Sequence, residues 1–181
     1  MSTVLTTPRL QLESFDRVDE ATIIQYYLNE AEHLRNSGGP ARTSPAQISD
    51  MLASWKHNTL QGTELRLMLI QQHKVIGTIG VSNIVRGAFQ AAYIGYNLAE
   101  NLQRQGFMTE ALKATIDYAF NHLHLHRLMA NYQPHNLASA RVLEKLGFEK
   151  EGIAKNYLMV DGVWCDHVLT SLTNNHWTPL K

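Results

Sequence analysis

The stretch from Tyr93 to Leu112, YIGYNLAENLQRQGFMTEAL, constrains the fold more than any other. Tyr93-Ile94-Gly95-Tyr96-Asn97-Leu98 is rich in β-branched, aromatic and aliphatic side chains, which suits a largely buried strand. Gln103-Arg104-Gln105-Gly106 follows, and apolar residues then recur at helical spacing. A strand, a glycine loop and a helix in that order bring unsatisfied backbone N–H groups and the positive end of a helix dipole to the loop. A glycine there lets a ligand approach the backbone, which suits a phosphate or pyrophosphate. Many such units carry a glycine for packing alone, so by itself the stretch leaves both readings open.

Upstream, Thr7-Pro8-Arg9-Leu10-Gln11-Leu12 predicts a short edge strand around a proline. A helix is predicted from Asp19, as N-cap, to about His33, and a second from Ser44-Pro45 to near Asn58, with Asn36 to Pro40 as the break between them. Leu65–Ile70, Lys74–Ile84 and the strand ending at Leu98 have connections too short for crossovers, so they form an antiparallel meander. Past the glycine loop, Met108, Leu112, Thr115, Ile116, Ala119, Phe120 and Leu123 make a core-facing helical stripe. Arg127–Tyr132 is the next strand, so it lies parallel beside the strand before the loop. Leu137–Leu146 is a helix stopped by Gly147, and Asp161-Gly162 turns a closing hairpin, Phe148–Val160 and Val163–Leu172. The expectation is one mixed α/β domain over residues 7–172, its central mixed sheet flanked by about four helices, with a polar tail at 173–181.

Lys plus Arg equals Asp plus Glu at 16 each, so no global field recruits nucleic acid or an acidic membrane. The one cysteine, Cys165, excludes an internal disulfide and fits a reducing compartment; it reads as a small buried apolar residue. MSTVLTTPRL lacks a basic region followed by an apolar run, and no apolar stretch approaches membrane-spanning length. A cytoplasmic setting without a membrane or nucleic-acid partner is expected. His122, His124 and His126 are spaced by two, which splays them around a helix; they suit a helix C-terminus, and no metal site is expected.

Gln103-Arg104-Gln105-Gly106-Phe107-Met108 resembles the acetyl-CoA loop of the GNAT N-acetyltransferase superfamily, whose pattern is Gln/Arg-x-x-Gly-x-Gly/Ala. Met108 departs from it. Asn136-Leu137-Ala138-Ser139, followed by Leu143 to Phe148, is similar to the superfamily's second signature. Segments His126–Asn136 and Gly147–Leu172 resemble the RimJ type, the ribosomal-protein-alanine N-acetyltransferases. The resemblance implies the GNAT acyl-CoA N-acyltransferase fold, with the sheet splayed at an acetyl-CoA slot. It implies transfer of acetyl from acetyl-CoA to the α-amine of an N-terminal alanine on a ribosomal protein. Small-amine acetylation, or an acetyl-CoA-binding ribosome-assembly factor, are the alternatives.

Under that resemblance, backbone N–H groups of Gln105, Gly106, Phe107, Met108 and Thr109 hold the pyrophosphate, bordered by Gln103 and Arg104. Asn97 and Leu98 pair through their backbones with the pantetheine arm, Asn136 bonds the pantetheine or the acetyl end, and Ser139 faces the thioester sulfur. The superfamily's usual carboxylate is replaced at Ala91-Ala92-Tyr93, and its usual tyrosine acid by Leu143. Ser139 is therefore read either as the donor to the departing thiolate or as a helix cap. Tyr157 either reaches the amine or is core, and Asp166 either orients the incoming ammonium or faces solvent.

Overall fold

A computed structural model describes residues 3–36 and 42–179. The expected break at Asn36 to Pro40 lies, from residue 37 onward, outside the described residues. Eight strands form one sheet: β1 (Val4–Thr6), β2 (Gln11–Ser14), β3 (Leu65–Gln71), β4 (Lys74–Val85), β5 (Ala91–Leu98), β6 (Arg127–Tyr132), β7 (Glu149–Val160) and β8 (Val163–Thr173). Their order in space is β1-β2-β3-β4-β5-β6-β8-β7, and among the described residues β5–β6 alone is a parallel pair. The edge strand expected around Pro8 is instead a hairpin turn between β1 and β2, closed by the Thr7 N–H donating to the Leu10 carbonyl at 2.9 Å. Proline has no N–H for a ladder and its fixed φ suits a turn.

Helix α1 (Glu20–Asn29) starts at Asp19, whose carboxylate accepts from the Thr22 N–H at 3.1 Å. The single helix expected to His33 is cut at Glu30, and α2 (Ala31–Asn36) follows. Glu30 accepts the Glu100 N–H at 3.0 Å, a tertiary contact that fixes the chain where the turn occurs. The described residues therefore hold five α-helices rather than four. Helix α3 (Pro45–Leu60) opens with a reciprocal capping box between Ser44 and Gln47. Helix α4 (Phe107–Asn121) crosses from β5 to β6, and α5 (Leu137–Lys145) ends before Gly147, whose φ of +84° favours glycine. No helix among the described residues is long and apolar enough to cross a membrane.

The alternation of side chains along each strand gives the sheet two buried faces. Leu67, Ile79, Ile94 and Leu128 join Leu112 and Leu143 from α4 and α5 in one core. Met68 joins Ile23, Tyr27, Ile48 and Trp55 beneath α1 and α3 in the other. Leu67 is fully buried near the middle of the first core. Leu67→Ala should cost about 3 kcal/mol and lower the melting temperature by roughly 10 °C in a thermal scan.

Thr173 of the expected tail ends β8, and the described residues 174–179 form no helix or strand, yet they are docked. The Trp177 indole N–H donates to the His124 carbonyl at 3.0 Å, and its ring packs on His124 and His126. His122 caps α4 and stacks on Tyr118 at 4.8 Å. Among the described residues, no group of three or more His, Cys, Asp or Glu is placed to hold a metal ion.

Candidate active site

Strands β5 and β6 pair over only three positions, Ala91–Arg127, Ala92–Leu128 and Tyr93–Met129. Beyond Tyr93 they part, and a cavity of about 720 Å³ opens between them. Gly95, Tyr96, Asn97 and Leu98 line it from β5, and Ala130 to Gln133 from β6 and just beyond. The β6-facing edge of Gly95–Asn97 therefore has no strand partner and is available to a ligand, as an edge strand is to an added one.

At one end of this slot stands the start of α4. Its N-cap is Gly106, with φ +82°, which supplies no capping side chain. The first-turn N–H groups thus point outward without side-chain acceptors, the arrangement an anion requires. Arg9 buttresses the loop: its guanidinium donates to the Gln105 carbonyl at 2.9 Å and lies 4.3 Å over the Phe107 ring. Phe107 and Met108 are core residues, so their contribution to the loop is their backbone N–H. Met108, where the superfamily pattern has Gly or Ala, turns into the core and the cavity wall. Gln103 and Arg104 line the cavity, with the Gln103 amide 3.0 Å from His33 Nε2 on α2.

Glu110 ties this loop to the β1–β2 turn. Its carboxylate accepts from the Thr7 hydroxyl at 2.6 Å, the Arg9 N–H at 2.9 Å and Arg9 Nε at 2.6 Å. Burial pulls the carboxyl upward, but the hydrogen bonds from Thr7 and Arg9 outweigh it and hold Glu110 below the ordinary value of 4.5. The native contacts favour the ionised form, so their contribution is complete above that ordinary value. It is lost as pH falls through the lowered native value. Glu110→Gln should destabilise the fold by about 1–2 kcal/mol at pH 7. Urea titrations should show the gap narrowing below pH 4.5.

At the other end, α5 begins at Asn136, whose Oδ1 accepts the Ser139 N–H at 3.0 Å. Asn136 is thus the N-cap of α5. The Ser139 hydroxyl serves elsewhere: it lies 2.7 Å from the Tyr96 hydroxyl. Burial pushes Tyr96 up to about 12, opposed by the Ser139 hydrogen bond and reinforced by nearby Tyr132. Its hydroxyl remains a proton donor through the neutral range. Sequence reasoning placed Tyr96 only in a strand; its alternation onto the same face as Ile94 was the signal that it faces α5.

The opposite face carries a second polar group. Tyr157 lies 3.2 Å from the Tyr93 hydroxyl and accepts from Asn131 Nδ2 at 3.4 Å. The hydrogen bond with Tyr157, followed by burial, raises Tyr93 above the ordinary tyrosine range. Asn131 and buried His167 line the cavity, while Tyr157 packs behind them, its ring 5.9 Å from His167. The Asn97 amide is held on this face, accepting from Tyr26 at 2.8 Å and donating to Tyr27 at 3.4 Å. Asp166 accepts the Asn156 N–H at 2.9 Å, so its carboxylate pins β7. Cys165 is half-buried rather than core, since the β7–β8 hairpin continues past the helices; its thiol donates to the Val163 carbonyl at 3.5 Å.

An uncapped helix start, an open strand edge and a hydroxyl pair fit an elongated anionic thioester. The acetyltransferase (GNAT) domain model matches residues 9–149. This chain belongs to the GNAT acetyltransferase family. It is 41% identical to the [ribosomal protein uS5]-alanine N-acetyltransferase of Escherichia coli, covering 97% of this chain and 93% of the relative. The crystal structure of the ribosomal-protein-S5-alanine acetyltransferase of Vibrio fischeri superposes with a TM-score of 0.86 at 34% identity, covering 98% of this chain and all of that one. Mycobacterium smegmatis RimJ, solved in complex with CoA-disulfide, superposes with a TM-score of 0.84 at 28% identity, covering 95% of this chain and 86% of that one. The expected family and fold are borne out.

Proposed function

We propose that this enzyme transfers the acetyl group of acetyl-CoA to the α-amine of the N-terminal alanine of ribosomal protein uS5. The observation that carries this reading is the splayed β5–β6 slot, with the uncapped α4 at one end and Ser139 at the other. The identity to an alanine N-acetyltransferase over nearly the whole chain supports the acceptor. Nothing in the cavity favours the small-amine or binding-module alternatives. With a ribosomal protein as acceptor, the setting is the cytoplasm.

Acetyl-CoA supplies the activated acetyl group and a thiol leaving group. The backbone of residues 105–109 holds the pyrophosphate, with Gln103 and Arg104 at its border, and residues 97–98 pair with the pantetheine amides. Ser139, backed by Tyr96, donates to the sulfur as negative charge develops there. No covalent enzyme intermediate is needed. Thiol release from acetyl-CoA is the test, with an alanine-initiated uS5 peptide set against a panel of small amines. Release confined to the peptide is expected. Release with the amines alone would move the acceptor to a small molecule, and tight acetyl-CoA binding with no release would make the chain a binding module.

A further inference from the structure

The acetyl-transfer reading needs a group to deprotonate the incoming ammonium, and β5 carries no carboxylate in the slot. We propose that His167 is that base. Paired residues on neighbouring strands share a face. Val168 and Thr170 pair with Tyr132 and Ala130, on the α4–α5 face with Tyr96 and Ser139. His167 alternates to the other face, beside Tyr157 and Asn131. The slot therefore has the Ser139–Tyr96 hydroxyl pair on one face and an imidazole on the other, so the departing sulfur and the incoming amine are served by different groups.

The tautomer is fixed by a carbonyl. His167 Nδ1 lies 3.0 Å from the Cys165 carbonyl oxygen, which can only accept, so Nδ1 carries the hydrogen. The neutral ring then has its lone pair on Nε2, in a residue only 5% exposed that lines the cavity. The ionisable groups around it are Tyr157 on β7, Tyr93 on β5 behind that hydroxyl, and Cys165 on its own strand. Arg42 and His33 line the cavity from the helical side, and Asp166 is bound to the β7 backbone. Among the described residues, the polar partner of the ring is the Cys165 carbonyl, and no carboxylate is paired with it.

Nε2 takes one proton from the α-ammonium, leaving a neutral amine and an imidazolium. The amine nitrogen bonds to the acetyl carbon as the carbon–sulfur bond breaks. The second proton shed by nitrogen is passed to the thiolate through the Ser139 hydroxyl, and the imidazolium returns its proton to solvent. An α-ammonium, with a reference pKa near 7.7–8.0, gives up its proton to an imidazole far more readily than a lysine side chain near 10.4. This base therefore favours a protein N-terminus over an internal lysine.

His167→Asn keeps a donor for the Cys165 carbonyl and removes the Nε2 lone pair. It should lower kcat/KM on the alanine peptide about a hundredfold and abolish the acidic inflection of the kcat–pH profile. Acetyl-CoA affinity, by calorimetry, should stay within threefold of wild type. A long-range 1H–15N spectrum should show His167 as the Nδ1–H tautomer at neutral pH. Activity within threefold of wild type, an unchanged acidic limb, an Nε2–H tautomer, or a parallel loss of acetyl-CoA binding would each overturn the assignment. Inactivity of the wild type on the peptide would remove the acetyl-transfer reading itself, a failure visible before any variant is made.

Discussion

Gly106→Asp is expected to weaken acetyl-CoA binding about a hundredfold while leaving the fold intact. Gly106 is exposed, and a Cβ added there meets only the Arg9 guanidinium, at 3.4 Å. Its φ of +82° is left-handed, a region aspartate tolerates better than most residues. A carboxylate beside the first turn of α4 also complements the helix dipole, offsetting part of that strain. The same carboxylate would stand at the proposed pyrophosphate site and repel that group. Stability and affinity should therefore move apart: the melting temperature within a few degrees of wild type, with the dissociation constant raised two orders of magnitude by calorimetry. Gly106→Ala, which adds strain without charge, should weaken binding much less. A dissociation constant within threefold of wild type for Gly106→Asp would place the pyrophosphate elsewhere.

Ser139→Ala and Tyr96→Phe should each lower kcat by about 30–100-fold, with acetyl-CoA affinity unchanged within threefold. The two hydroxyls are 2.7 Å apart and act as one donor, so the double variant should be little worse than either single one. In the proposed mechanism the serine supplies the proton at the sulfur, and the buried tyrosine keeps that serine oriented. Tyr96 is protonated below about 12, and its donor capacity is lost only as pH rises through that value. The pair should therefore leave no inflection between pH 6 and 10. Steady-state kinetics on the alanine peptide across that range test both statements. Additive losses in the double variant would separate the two residues, and an unaffected Ser139→Ala enzyme would remove the serine from the chemistry.

The elements that carry the proposed cofactor half of the site were legible because each of them is local. A glycine loop between a strand and a helix is contiguous, and the structure makes Gly106 the left-handed N-cap of α4. Asn136 and Ser139 lie within one helical turn, the first as N-cap of the expected α5 and the second inside it. The two signatures meet because a crossover helix brings β6 alongside β5. The partners of these residues were not legible. Tyr96 and Ser139 are 43 residues apart, and Tyr93 and Tyr157 are 64 apart. Glu30 breaks a helix that periodicity alone continues, because its carboxylate accepts the N–H of a residue 70 positions away.

By itself the sequence determined the elements from Leu65 to Leu172, the parallel β5–β6 step and the glycine start of α4. Turn chemistry, hydrophobic period and helix caps act over a few residues, so neighbours along the chain suffice to set them. Only the tertiary structure decided which hydroxyl faces Ser139, that Asp166 serves the β7 backbone, and that His167 turns to the slot with its Nδ1 hydrogen held by Cys165. Those outcomes depend on strand register and on the distance over which β5 and β6 stay paired. Shifting the register by one residue would exchange His167 for Asp166 at the cavity.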